Sequence, residues 1–249
     1  MKLINKYKSP NYNERKNNLS IEYIVIHYTA MKSDIEAIKH LCKKKNKVSC
    51  HFLINKLGIV FNLVNLNYRA WHAGTSKWRK LEDINSKSIG IEIDNSGHLL
   101  NFENFTSLQI ISLKKLLLYL KKEFKIKPYN ILAHSDIAPY RKIDPGEKFP
   151  WEELAKSKLI VLPPKKSKKN LKYVDIYLDK LSLKTIKKRS LYMLSSIGYE
   201  IGLALKSKAK FELLIRAYQM HYRRSLINGK LDNETYSILR VHFKQSLTY

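Results

Sequence analysis

The chain has few cysteines and no long apolar run, and both shortages exclude classes of protein. Its 249 residues include two cysteines, Cys42 and Cys50, which are too few for a disulfide framework and lack the paired spacing of a zinc ribbon. We therefore expect two free thiols. No segment approaches the roughly 18 apolar residues of a membrane-spanning helix. The first twenty residues carry charges throughout and lack the apolar block of a secretory signal peptide, which leaves the compartment open.

Acidic residues are also scarce. Asp and Glu number 21 against 47 Lys and Arg, which gives a formal net charge of +26. Such an excess attracts polyanions. The lysines are spread along the whole chain rather than gathered into one stripe, so we do not expect specific nucleic-acid binding. We interpret the charge as a solvated surface that helps to hold an anionic polymer.

Two segments have the pattern of buried β-strands. Residues 21–29 form a nearly continuous run of β-branched and aromatic residues, which is typical of a central strand covered on both faces. In residues 88–94, Ile89, Ile91 and Ile93 alternate with Gly90, Glu92 and Asp94, so Glu92 is predicted to point away from the apolar side.

Other elements alternate with these strands up to about residue 158. We predict a helix after Ser33, a hairpin of residues 51–55 and 59–64, and a helix that begins with a capping box and ends before Pro128. A short strand, 130–133, then leads to His134 in a loop. The fold class predicted is α/β, with a mixed central β-sheet flanked by helices.

The composition changes beyond residue 160. Pro163 and Pro164 precede a polar, lysine-rich break at 165–170, and helical patterns follow at 211–222 and 233–239. We predict a catalytic domain over residues 1–160 and a small all-helical domain over 170–249.

Three polar residues at strand ends and in a loop fit a metal site. Zinc hydrolases generally bind the ion with three protein side chains and leave the fourth position to water. His27 and His134 each end a predicted strand, and Asp144 lies in a loop with Pro139 and Pro145. Each also has a purely structural interpretation, because a strand-end histidine is often only hydrogen-bonded and an aspartate before proline often starts a turn. The other histidines remain possible ligands: His40, His51, His72, His98, His221 and His242.

Four ordered blocks of the sequence carry a family resemblance. The stretches IVIHYTA, AWHAGTSKWR, SIGIEIDN and AHSDIAPYRKIDPGEKFPW resemble the type 2 N-acetylmuramoyl-L-alanine amidases over about residues 20–156. The chain is similar in particular to the two-domain envelope amidases of Gram-negative bacteria. It is more distantly similar to cytoplasmic anhydro-muropeptide amidases and animal peptidoglycan recognition proteins.

The resemblance implies roles for seven residues and one cofactor. It implies one Zn²⁺ held by His27, His134 and Asp144, with Glu92 as the catalytic acidic residue and Lys142 as a catalytic lysine. It also implies that Trp71 and His72 line the substrate cleft, although aromatic packing against the sheet would explain both equally well. The implied reaction is hydrolysis of the amide between N-acetylmuramic acid, or its anhydro form, and the L-alanine of a stem peptide.

The C-terminal part carries a second resemblance. AYQMHYR followed by NGKLDNETYSIL is similar to a small three-helix peptidoglycan-binding module, with Asn228-Gly229 where that module commonly has Asp-Gly. This implies peptidoglycan or muropeptides as partners and favours the bacterial envelope, periplasmic or secreted, over the cytoplasm. The rival interpretation is a recognition protein that binds muropeptides in the same cleft without cutting them.

Overall fold

The computed structural model describes residues 2–16, 20–164 and 182–248. These residues form two compact units. The first contains Met1–Ser76, Glu82–His134 and Asp144–Val161, and the second contains Lys77–Leu81, Ser135–Ile143 and Leu162–Tyr249. The domain division at 160–170 stays a prediction, and the polar break at 165–170 lies outside the described residues.

A six-stranded mixed sheet is the centre of the first unit, as predicted. Its order is β1-β5-β4-β7-β3-β8, with β4 and β5 antiparallel and the other neighbouring pairs parallel. A second, two-stranded sheet pairs β2 with β6. The strands are β1 (Leu3–Ile4), β2 (Tyr12–Glu14), β3 (Tyr23–Tyr28), β4 (Phe52–Ile54), β5 (Val60–Asn62), β6 (Tyr68–Ala70), β7 (Ser88–Ile93) and β8 (Ile131–Ala133).

The two central strands are covered on both faces. Residues 23–27 of β3 are buried, and the three isoleucines of β7 have no exposed surface. Strand β4 joins β5 through Gly58, which confirms the predicted hairpin. Burial of both faces explains why β3 reads as a continuous apolar run, whereas the alternation in β7 separates an isoleucine face from a face that carries Gly90 and Glu92.

The main helices of the first unit begin at side-chain caps that the sequence indicates. Helix α1 (Asp34–Leu41) is capped by Ser33, and α3 (Ser107–Phe124) begins with the complete Thr106–Gln109 capping box. The buried stripe of α3 contains Leu113, Leu116, Leu117 and Leu120. Two shorter helices are α2 (Ile84–Lys87) and α5 (Trp151–Lys156).

The register of the parallel strands places polar residues at one edge of the sheet. Ile26 pairs with Ala133, so His27 and His134 are the next residues along β3 and β8. On the other side of β3, His27 pairs with Glu92 of β7. His134 was predicted to lie in a loop, but it is the first residue of a short helix, α4 (His134–Ile137), because the chain turns helical directly after β8.

Helices make up most of the second unit. They are α6 (Leu183–Ile197), α7 (Gly202–Lys206), α8 (Lys208–Tyr222) and α9 (Asn233–Ser246). The predicted helical segments lie within α8 and α9, whereas α6 and α7 had not been predicted. Gly229 has a φ of +72°, as the turn between α8 and α9 requires.

A buried polar cluster ties the second unit together. Asp136 has no exposed surface, and its two carboxylate oxygens lie 2.7 Å from His221 Nδ1 and 2.5 Å from the Tyr199 hydroxyl. Trp78 packs edge-on against Tyr199. The helices of this unit are therefore bonded to chain segments that come from the middle of the sequence.

Two expectations from composition are also met in the described residues. Cys42 and Cys50 are both free thiols, and burial raises the pKa of each. Within the parts of the chain that the structure covers, no helix combines the length and apolar character that crossing a bilayer demands.

Candidate metal centre

Three side chains meet at the carboxyl edge of the sheet. His27 Nδ1 lies 2.9 Å from His134 Nδ1, and each of these nitrogens lies 3.0 Å from Asp144 Oδ2. All three residues are buried. Neighbouring strands deliver the two histidines, and the loop after α4 returns Asp144 to them. The structure thus brings together the three residues that the resemblance implies as metal ligands.

The contacts of His134 fix which of its ring nitrogens carries the proton. Its Nε2 lies 3.1 Å from the carbonyl oxygen of Ala73, which can only accept a hydrogen bond. Nε2 therefore carries the hydrogen, and in the neutral ring Nδ1 presents a lone pair to the centre of the site.

A longer chain of contacts fixes His27 in the same way. The Ser88 hydroxyl donates to Ile84 O and therefore accepts from His72 Nε2, which lies 3.1 Å from it. Burial, with added repulsion from His27, holds the pKa of His72 well below its ordinary value, so its ring is neutral and Nδ1 is an acceptor. His27 Nε2, 3.1 Å from that Nδ1, is then the donor, and His27 Nδ1 has a lone pair.

The donor set fits a zinc ion. Two imidazole lone pairs and a carboxylate oxygen converge within 3.0 Å, and three such acceptors repel one another unless positive charge lies between them. Zinc binds histidine nitrogen and carboxylate oxygen at about 2.0–2.2 Å, which puts tetrahedral ligand atoms roughly 3.3 Å apart. The observed triangle is close to that size, and both outer nitrogens already have the acceptors that commonly orient metal-bound histidines.

Charge within the triad also favours a bound cation. Burial alone would raise the pKa of Asp144, but His134 and His27 outweigh it and hold this pKa well below its usual range. The carboxylate is therefore ionised in a buried position. A buried carboxylate stays ionised only beside positive charge, which the two histidines supply when protonated and which a bound metal ion would supply when both rings are neutral.

A glycine makes room for the residue that orients His27. Gly90 pairs with Val25 in the register that pairs Glu92 with His27, so all four lie on one face of the sheet. A Cβ on Gly90 would lie 2.3 Å from Cγ of His72. The imidazole of His72 therefore occupies the space that any other residue at position 90 would fill.

The remaining residues implied by the resemblance lie in three settings. Glu92 is half-buried and directly opposite His27 on the neighbouring strand. Lys142 is half-buried in the segment between the second and third ligands, where its backbone N–H donates to Ala138 O. Trp71 is partly exposed, and its indole N–H donates to Asn13 Oδ1 at 2.6 Å. His72, by contrast, is buried against His27.

The other histidines lie outside the triad. His51 is fully buried and accepts the Gly90 N–H, and burial lowers its pKa to about 3. His40 is exposed on α1. Sequence reasoning missed the orienting contact of His72. Its signal was the glycine at position 90 within an otherwise bulky strand.

Fold and donor set together indicate a class: a hydrolase with a buried group of two histidines and one carboxylate, at the edge of a mixed sheet, that could hold a metal ion. Residues 17–147 match the family described as N-acetylmuramoyl-L-alanine amidase. The chain belongs to this family.

Comparison with individual proteins supports the same family. The chain is 35% identical over 232 residues to the N-acetylmuramoyl-L-alanine amidase AmiD of Escherichia coli K12, which covers 88% of this chain and 80% of the relative. It is similar to the structure of E. coli AmiD in complex with anhydro-N-acetylmuramic acid-L-Ala-D-gamma-Glu-L-Lys, with 31% identity, a TM-score of 0.78, and coverage of 94% and 92%. It is also similar to the Pseudomonas aeruginosa AmpDh3 structure with an anhydromuramic pentapeptide, with 30% identity, a TM-score of 0.79, and coverage of 94% and 96%.

Proposed function

We propose that this chain is a zinc-dependent amidase that cleaves the bond between N-acetylmuramic acid, or its anhydro form, and the L-alanine of a peptidoglycan stem peptide. The observation that carries the proposal is the convergence of His27, His134 and Asp144 within 3.0 Å. Membership of the amidase family supports it. So do the two similar structures, whose bound molecules are anhydromuramyl peptides.

Glu92 is proposed to act as the general base. When bound by the triad, zinc supplies Lewis acidity toward water and toward the scissile carbonyl. Glu92 lies on the strand next to His27, about 4.8 Å away across the sheet, and on the same face. Its carboxylate takes a proton from the attacking water and passes it to the departing alanine nitrogen.

Lys142 is proposed to stabilise the negative charge that develops on the carbonyl oxygen. A cation near that oxygen lowers the barrier more than it stabilises the bound substrate, because the charge appears only as the bond forms. We expect Lys142→Ala to reduce kcat at least tenfold while zinc content stays at one per chain. Turnover unchanged from the parent would remove Lys142 from the mechanism.

Trp71 is proposed to line the substrate cleft. His72 is proposed to contribute indirectly, by orienting the ligand His27. The partly exposed indole offers a flat apolar surface to a sugar or peptide, whereas the buried imidazole contacts a ligand histidine. Peptidoglycan fragments are the proposed partners, and the bacterial envelope is the proposed compartment. The helical unit is proposed to be related to peptidoglycan-binding modules.

One contrast between variants tests the proposal. Glu92→Gln removes the base but keeps the shape, so we expect one zinc per chain and a 10²- to 10⁴-fold loss of stem-peptide release. His27→Ala should lose zinc and activity together. Glu123→Gln, an exposed change at the end of α3, is the matched control.

The assay compares an anhydro-muramyl peptide with intact sacculi and measures bound zinc in each variant. Cleavage of either substrate supports the amidase, and the faster one indicates the natural form. A parent chain that binds muropeptide and zinc but releases no peptide would favour the recognition protein instead.

A further inference from the structure

We propose that His98 is a positioning residue that ties the loop carrying Asp144 to the strand carrying His27, and that zinc affinity depends on this tie. The inference rests on the metal site of the proposed function. It adds a residue that belongs neither to the ligands nor to their direct partners. Two hydrogen bonds and one stacking contact, all within the first unit, carry it.

The imidazole of His98 bridges two segments of the site. Its Nδ1 lies 2.9 Å from the Tyr28 hydroxyl, and its Nε2 lies 2.9 Å from Glu147 Oε2. Tyr28 directly follows His27, and Glu147 lies three residues after Asp144. Because an ionised carboxylate only accepts, Nε2–H donates to Glu147, and in the neutral ring the phenol donates to Nδ1. One side chain therefore joins the neighbours of two ligands.

The rings of His98 and Phe102 together form a flat platform against the loop that carries Asp144. His98 stacks on Phe102 with ring centroids 4.3 Å apart and planes inclined by 26°. A Cβ on Gly146 would lie 2.7 Å from Phe102 Cζ and 2.8 Å from His98 Cε1, so the loop backbone presses directly on both rings. Lys148 Nζ donates to the carbonyl oxygen of Phe102. The loop is thus held to the platform at Gly146 and at the two residues that follow it.

The tie matters because no regular element holds Asp144. His27 lies in a strand and His134 begins a helix, whereas the loop 143–149 belongs to neither kind of element. A ligand on such a loop keeps its position only through contacts outside the metal site. Removing partners of metal ligands typically lowers metal affinity 10- to 100-fold. His98 contacts sequence neighbours of the ligands rather than the ligands themselves. We therefore expect its removal to lower zinc affinity about tenfold, the lower end of that range.

Three substitutions separate the two hydrogen bonds. His98→Ala removes both, His98→Asn keeps an acceptor near the position of Nδ1, and His98→Gln keeps an N–H donor near the position of Nε2. Zinc dissociation constants are measured on the full chain by competition with a chromophoric chelator. We expect all three to bind zinc about tenfold more weakly than the parent, because each breaks the bridge at one end or at both. His40→Ala, on the exposed face of α1, is the matched control.

Two further measurements distinguish positioning from general loss of stability. The visible spectrum of the Co²⁺-loaded protein should change in His98→Ala but not in His40→Ala, because only the former alters ligand geometry. His98→Ala combined with Glu147→Ala should bind zinc no more weakly than the weaker single variant, since both single variants break the same bond between His98 and Glu147. Zinc affinity and spectrum equal to the parent in His98→Ala would overturn the inference, as would parent-like zinc affinity in both His98→Asn and His98→Gln. A parent that binds no zinc would contradict the proposed function as well.

Discussion

At the scale of single residues, the candidate site depends on where the ring protons lie. His134 is fixed by one backbone carbonyl, whereas His27 is fixed by a relay through His72 and Ser88 to a carbonyl of α2. A metal-binding nitrogen must have a lone pair, and these outer contacts ensure that both Nδ1 atoms have one. The affinity for the ion therefore also depends on residues that do not contact it.

The relay leads to a prediction for His72. His72→Phe keeps a ring above Gly90 but leaves His27 Nε2–H without an acceptor, so zinc affinity should fall about 10- to 100-fold. His72→Asn retains an acceptor near the position of Nδ1 and should recover part of the loss. Isothermal titration of the metal-free protein with zinc measures both. Equal affinity in the parent and in His72→Phe would show that orientation of His27 does not depend on the relay.

Sequence reasoning located single residues better than their roles. The strand-end positions of His27 and His134 predicted that they could meet at one edge, but the choice of these two among the histidines came from the family resemblance. His72 and His98 contact partners 45 and 49 residues away, and the pairings depend on how loops return to the sheet. No local pattern encodes such contacts, although the glycine in β7 indicated that something lies close to the strand.

At the scale of elements, β7 combines two opposed requirements. Its isoleucine face is fully buried, while its other face must be flat at Gly90 and polar at Glu92. Alternation in the sequence predicted both faces, and the capping residues predicted the start of α1 and α3. Helix α6 was not singled out because its first half is rich in Lys and Arg and its buried residues begin only at Ser190.

A substitution in β7 tests the requirement for a flat face. Gly90→Ala would put a methyl group 2.3 Å from His72 Cγ, so the ring must shift and the free energy of unfolding should fall by about 1–3 kcal/mol. Zinc affinity should fall as well, because His27 loses its acceptor. Gly202→Ala is the control, since there the added methyl meets only the flexible end of Glu200. Urea unfolding measures the free energy of unfolding, and zinc titration measures the affinity. If Gly90→Ala changed neither value, the close packing of His72 on Gly90 would be refuted.

At the scale of the whole molecule, buried neutral histidines make stability depend on pH. Burial lowers the pKa of His242 to about 3, with repulsion from His221 as the next cause, and burial lowers that of His51 to the same range. Unfolded imidazoles take up protons below about pH 6.5. Between pH 6.5 and 3 these two positions therefore bind more protons in the unfolded chain than in the folded chain, and their contribution to the free energy of unfolding falls as the pH falls.

This pH dependence should be visible in unfolding experiments. Each such histidine contributes up to about 1.4 kcal/mol per pH unit below pH 6.5. Between pH 6.5 and 4.5, His242→Gln should flatten the slope of unfolding free energy against pH, whereas His40→Gln, an exposed change, should leave it as in the parent. A parent whose stability does not change over this range would contradict the neutral, buried state of these rings.

The second unit takes part of its core from the middle of the chain. His221 and Tyr199 both bond to Asp136, which lies 63 residues or more before either. Removing one partner of a buried hydrogen bond leaves the other unsatisfied and costs about 1–3 kcal/mol. A fragment of residues 162–249 lacks Asp136 and should show no cooperative thermal unfolding, whereas the full chain should. Cooperative melting of the fragment at the temperature of the full chain would show that the cluster is dispensable.

The central claim is that two imidazoles and one carboxylate share one zinc ion. X-ray absorption at the zinc edge of the purified, active full chain tests it most directly, because scattering from imidazole rings reports the number of histidine ligands. We predict about one zinc per chain with two histidines, oxygen donors for the remainder and no sulfur, and the loss of bound zinc in His134→Ala. Full amidase activity in a metal-free chain, or a zinc bound by sulfur or by a different number of histidines, would contradict it.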